Sequence, residues 1–243
     1  MKIHLLIGII FSFVIFQSCR KDDNANPQAQ DGSITETVNG ITYKLYKPTS
    51  GAYKGIVVMG SGNNKNNPTE GGLDGAAEND FCKKASENGY LAAIVKYRKT
   101  PGVADWNASA VMLNQDYKTC IEGIATKYSV DKAKSVVGGF SYASYLLLTA
   151  NSIDNSLTFC KGILAACGAT STWSAQNFKI PIYAINCSGN NEGDFNGLAL
   201  YSQIPNNSPI KAKSGGVTDN SCNSHCGGNW TNLMITRLQY WLP

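Results

Sequence analysis

The sequence predicts an α/β domain with a mostly parallel central sheet and helices on both faces. Three observations carry that expectation. Apolar runs of strand length alternate with helix-compatible segments along the chain. Several of those runs are apolar throughout rather than alternating, as strands covered on both faces should be. One of them, Ser135-Val136-Val137-Gly138, leads directly into Gly139-Phe140-Ser141-Tyr142-Ala143 and then an apolar, helix-compatible stretch. A sharp turn there would strain the Ser141 backbone and lift its Oγ above the sheet edge. Residues two before and two after must be small because strand and helix pass close together, and Gly139 and Ala143 meet that demand.

Residues 34–38 and 41–46 flank Asn39-Gly40 and read as a hairpin with a tight turn. Residues 55–59 form a strand that ends in Gly60-Ser61-Gly62, and a polar loop follows to Gly75. Residues 76–88 fit a helix stopped by Gly89. Residues 90–97 are the next strand, and residues 108–128 a long amphipathic helix with Val111, Met112, Tyr117, Ile121 and Ile124 near a 3.6 period. After the 135–138 strand and its helix come strands at 162–167, 180–187 and 209–213, then a last helix at 229–241. No internal repeat interrupts this order.

The chain has 243 residues, enough for one sizeable α/β domain. Its start has a different character. Met1-Lys2-Ile3-His4 precedes 12 residues, Leu5 to Phe16, that are apolar apart from Gly8 and Ser12. Such a run is too short for a stable bilayer span and fits a secretory core segment. It ends in Gln17-Ser18-Cys19, followed by Arg20-Lys21-Asp22-Asp23. This resembles a bacterial lipoprotein signal, which implies cleavage before Cys19 and acylation of its thiol. The expected organisation is a signal peptide at 1–18, a lipidated tether at 19–32 and a catalytic domain at 33–243. The resemblance implies a cell-envelope protein held on a membrane surface, periplasmic or outer-membrane, through Cys19.

Net charge is +4 and spread without blocks, so no basic patch invites nucleic acid. Of eight Cys, seven remain after Cys19. In an oxidising compartment some should pair. Cys160 and Cys167 flank one expected strand and lie too far apart to bridge. Cys222 with Cys226, or Cys187 with one of those two, is the preferred bridge. No second His or C-x-x-C supports a metal site.

A nucleophilic Ser needs a base, and His4 leaves with the signal. His225 is then the mature chain's one imidazole, in the Gly-rich loop between the last strand and the last helix. A loop there can carry a side chain over the sheet edge. The base needs an orienting carboxylate. Glu192 and Asp194, in Ser188-Gly189-Asn190-Asn191-Glu192-Gly193-Asp194-Phe195 after the 180–187 strand, are both candidates. Oxyanion donors are expected from the N–H of Tyr142, directly after Ser141, and from Ser61 N–H in the bare loop after the 55–59 strand.

The order Ser141, Glu192 or Asp194, His225 resembles the α/β-hydrolase superfamily, and its esterase and dienelactone-hydrolase-like members in particular. Gly89-Tyr90-Leu91-Ala92-Ala93 with Tyr97-Arg98, and Tyr128-Ser129-Val130-Asp131 before the 135–138 strand that leads into the Ser141 turn, or elbow, are similar to patterns of that family. The resemblance covers residues 34–243. Ala143 for the commoner Gly, and Met59-Gly60 where many members have His-Gly, depart from it. It places the acid about three residues after Gly189, at Glu192, while Asp194 is the more usual residue type. Only 13 residues separate Cys167 from Pro181, where many relatives insert a cap, so no large cap domain and an open cleft are expected. The implied activity is cofactor-free hydrolysis of carboxylic esters, small or polymer-linked. A peptidase or amidase of the same fold, and a non-catalytic surface-binding lipoprotein, are the alternatives. Trp106, Tyr142, Trp173, Phe195 and Trp230 are the aromatic residues expected near the cleft, more as packing than as a binding platform except for Tyr142, which must lie beside Ser141.

Overall fold

The computed structural model describes residues 32–63, 68–188 and 197–243. Strands β1 (Ser33–Val38) and β2 (Ile41–Tyr46) form the hairpin. Asn39 and Gly40 both take positive φ, 46° and 81°, the backbone that a two-residue turn matched to strand twist requires. β3 (Gly55–Gly60), β4 (Tyr90–Lys96), β5 (Ser135–Phe140), β6 (Ile163–Ala166), β7 (Ile182–Cys187) and β8 (Gly215–Asp219) complete an eight-stranded sheet. Its order is β1-β2-β4-β3-β5-β6-β7-β8. β2 pairs antiparallel with β1 and β4, and every other pairing is parallel.

β3, β5, β6 and β7 are buried along their whole lengths because helices cover both faces. Side chains alternate across a strand, so each strand feeds two cores. Val137 and Ile163 join the layer that contains α2 (Trp106–Tyr128) and α3 (Tyr142–Ile153). Val136 and Leu164 join the opposite layer, which contains α1 (Ala76–Glu87) and α5 (Thr231–Trp241). α2 starts where the Asp105 side chain accepts the Ala108 N–H at 2.9 Å. α1 is followed by Gly89 at φ 96°, a conformation that suits glycine.

The last strand lies elsewhere than the sequence suggested. Residues 211–213 form a single 3₁₀ turn, and the strand is Gly215–Asp219. Gly215-Gly216 reads as a chain breaker, yet close packing needs bare backbone there. A Cβ on Gly216 would stand 2.3 Å from the Gly197 carbonyl, at the start of α4 (Gly197–Gln203), a helix the sequence did not announce. The other strands and helices fall within a few residues of expectation.

The disulfides correct one expectation. Cys187 pairs with Cys222, one of the expected alternatives. Cys226 pairs with Cys167, so the Cys222–Cys226 bridge does not form. The ends of β6 and β7 are adjacent in the sheet, and each offers one Cys to the loop above. Cys82, Cys120 and Cys160 are buried and free, and burial pushes all three thiols up.

Candidate active site

β5 delivers Ser141 to the sheet edge. Ser141 sits at φ 47°, ψ −115°, a strained conformation for a residue with a side chain. Its N–H is held by the Ala166 carbonyl at 2.9 Å, and its own carbonyl receives the Tyr145 N–H at 2.9 Å. The turn is tight enough to require Gly139: a Cβ there would lie 2.8 Å from Ala143 Cβ and 2.9 Å from the Ser144 nitrogen. The small-residue demand read from the sequence is thus a measurable steric limit. Ser141 is half-buried and stands at the N-terminus of the 12-residue helix α3. The first N–H groups of a helix lack partners within it and carry the positive end of its dipole. Tyr142 N–H is the first of these. The Tyr142 ring is buried, with its hydroxyl 2.6 Å from Thr100 Oγ1.

His225 arrives from the opposite direction in sequence. Residues 220–230 join β8 to α5 with no regular secondary structure. They bring His225 Nε2 to 2.7 Å from Ser141 Oγ. The structure therefore joins two residues 84 positions apart into a hydrogen-bonded pair.

The loop after β3 closes the third side. Ser61 is almost buried; its carbonyl accepts the Tyr97 hydroxyl at 2.8 Å and its Oγ accepts the Gly72 N–H at 2.7 Å. Gly62 packs directly on Ser141, and a Cβ there would stand 3.0 Å from Ser141 Cβ. The Gly62 N–H is bonded to the Glu78 carboxylate. Glu78 itself is 5 % exposed and lines a cavity of about 340 Å³ with Ser61, Gly62 and Gly72. Burial raises its pKa above the ordinary glutamate value, partly opposed by hydrogen bonds from its own backbone and from Gly62.

Glu192, Asp194 and Phe195 lie outside the described residues, as do Cys19 and the whole segment before Gly32. The other aromatic residues divide. Trp230 is buried in the core, while Trp173 is exposed. Trp106 packs edge-on to both Tyr142 and Tyr145, at 5.7 and 6.1 Å. Residues 168–181 contain one 3₁₀ turn, Thr172–Asn177, and no cap domain.

One participant escaped the sequence reading. Asp219, the last residue of β8, accepts the Ser221 N–H at 2.8 Å, the Ser221 hydroxyl at 2.7 Å and the Trp230 indole N–H at 2.7 Å. These bonds hold its pKa below the usual aspartate value, the Ser221 hydroxyl contributing most. Asp219 thereby clamps both ends of the His225 loop. Its spacing two before Ser221 is an Asx-turn signal that could have been noticed.

Cys167, Cys226 and His225 offer ligand atoms within 4.8 Å of one another. Both sulfurs are spent in a disulfide and have no thiolate to give a metal, so this cluster is a covalent clip.

No protein-family model matches the chain, and no curated protein matches it. Many solved structures do. A dienelactone hydrolase from Anabaena variabilis superposes with TM-score 0.61 at 12% identity, over 87% of this chain and 97% of that one. A lidless α/β serine hydrolase from Xanthomonas campestris gives 0.58 at 15% identity, over 90% and 99%. Esterase 2 of Thermogutta terrifontis, phosphorylated by paraoxon, gives 0.55 at 12% identity, over 86% and 91%. At these identities the likeness is one of architecture, and it agrees with the strand order and the elbow: the chain has the α/β-hydrolase fold.

Proposed function

We propose that this protein is a serine hydrolase that cleaves carboxylic esters. The observation that carries the reading is the 2.7 Å contact between His225 Nε2 and the Oγ of Ser141 on a strained strand-to-helix turn. An unactivated serine is a weak nucleophile, and an imidazole at this distance takes its proton as the Oγ–carbon bond forms. Glu192 or Asp194, after β7, orients His225 and offsets the charge of its imidazolium. The N–H groups of Tyr142 and Ser61 receive the oxyanion, and one such donor is typically worth about 10²–10³ in rate. His225 returns its proton to the leaving alcohol. It then activates water, which releases the acid and restores Ser141. No cofactor enters this sequence.

The fold supports the hydrolase part, and the esterases among its structural neighbours favour esters over amides. Cap-free residues 168–181 favour an open cleft and with it short or polymer-linked acyl groups. Two disulfides and the signal-like start favour an extracytoplasmic site, on a lipid anchor at Cys19.

Fluorophosphonate labelling of the full chain followed by peptide mapping tests the reading. A stoichiometric adduct on Ser141 that disappears in His225→Ala is expected. Glu192→Ala and Asp194→Ala then separate the acids: the orienting one should slow labelling by about 10²–10⁴, the other by less than tenfold. Folded wild-type protein that takes no label would favour the non-catalytic alternative.

A further inference from the structure

His225 depends on its surroundings more than Ser141 does. Ser141 is braced by a strand behind it and a helix in front. The 220–230 stretch has neither, and much of it is exposed. Within it, Cys222 and Cys226 bracket His225 and pack against the core layer beneath. Each is bonded to the C-terminal end of a different strand. Cys187 is the last residue of β7, and Cys167 follows the last residue of β6. The second bridge makes a short path between the two reacting groups. It runs from His225 through Cys226, the disulfide and Cys167 to Ala166, whose carbonyl holds the Ser141 N–H. The sulfurs of that bridge stand beside the imidazole. Cys167 and Cys226 both adopt left-handed backbone, φ 47° and 55°, a cost that persists only where other contacts impose it.

We propose that the Cys167–Cys226 and Cys187–Cys222 disulfides are positioning groups for His225, so that the hydrolytic site works only when they are oxidised. The inference rests on Ser141 and His225 being the catalytic pair. It assigns the bridges a role in registration of the base, beyond holding the fold. Most of both cores lies outside the 220–230 loop: β2 to β7 and α1 to α5 supply their buried apolar side chains, and the loop adds Trp230. Reduction by a dithiol balances simply. Two thiols of the reductant lose two electrons and two protons and become its disulfide, while one protein bridge becomes two thiols. Attack falls on Cys222 and Cys226, which are partly exposed residues, whereas Cys167 and Cys187 are buried. The free cysteines Cys82, Cys120 and Cys160 stay out of the exchange because burial keeps them as thiols. A chain made in a reducing compartment would be folded but silent, and would gain activity on reaching an oxidising one.

The test follows fluorophosphonate labelling of Ser141 in the full chain before reduction by dithiothreitol, after it, and after reoxidation. Thiol alkylation and mass mapping identify the bridges opened. Saturation kinetics separate the maximal labelling rate from the half-saturating concentration. The expected result is a maximal rate lower by about 100-fold, a half-saturating concentration changed by less than about threefold, and recovery on reoxidation. Cys167→Ser/Cys226→Ser should reproduce the loss without reductant, with the circular dichroism of the folded protein unchanged. Should that variant fail to fold, reduction of the native protein still decides. Reduced, folded protein that labels at the oxidised rate overturns the proposal. So does a loss that tracks global unfolding. Oxidised protein that never labels would instead overturn the catalytic reading beneath it.

Discussion

The indole Nε1 of Trp230 donates to Asp219 Oδ2 at 2.7 Å, joining the last residue of β8 to the residue before α5. Everything between these two residues is the loop that carries His225. The bond therefore sets the span of that loop in the way a clasp sets the span of a strap. Trp230→Phe keeps the buried ring and removes the donor. Labelling of Ser141 should slow by roughly 10- to 100-fold while the fold persists. The low pKa of Asp219 gives the sign of the pH effect. A carboxyl depressed in the folded state contributes stability above its unfolded pKa, and that contribution fades as pH falls through the folded value. Wild type should thus lose more loop order than Trp230→Phe on acidification, measured as hydrogen exchange across residues 220–230.

Gly62 tests how closely the loop after β3 approaches Ser141. Alanine there would put a Cβ 3.0 Å from Ser141 Cβ, and the loop can relieve that by moving a few tenths of an ångström. Gly62→Ala should slow labelling by roughly tenfold or more with little change in melting temperature. Gly139→Ala is the contrasting case. Its Cβ would meet Ala143 Cβ at 2.8 Å and the Ser144 nitrogen at 2.9 Å, and helix backbone cannot swing aside as a long side chain can. Overpacking of that kind costs about 1–3 kcal/mol, so melting should fall by several degrees. Equal melting for both variants would contradict the geometry of the elbow.

Glu78 predicts stability against pH. Its pKa is raised by burial, so its folded state favours the neutral acid. Such a group supports stability fully below its unfolded pKa, and that support is lost as pH rises through the folded value. Glu78→Gln keeps an oxygen for the Gly62 N–H and removes the charge. The variant should match wild type at about pH 4 and melt higher at about pH 8. A difference in melting that is independent of pH would show that Glu78 carries its charge at no cost.

The Ser141 elbow was legible because its constraints are local. A buried strand, two small residues and a helix must follow one another within a few positions, and all are written consecutively at 135–149. The hairpin at Asn39-Gly40 and the long helix α2 were readable for the same reason, since turn chemistry and 3.6-residue periodicity act over short distances. β8 was misplaced because Gly215-Gly216 is chosen by the closeness of α4, which no local pattern reveals.

By itself, then, the sequence determined the α/β order, the strained Ser141 and the supply of candidate partners for it. Only the tertiary structure decided which groups meet. It set His225 Nε2 against Ser141 Oγ, directed the Gly62 N–H to Glu78, and paired Cys226 with Cys167 rather than with Cys222. Those contacts join residues far apart along the chain. They follow from which strand ends lie side by side in the folded sheet, a relation that sequence spacing does not encode.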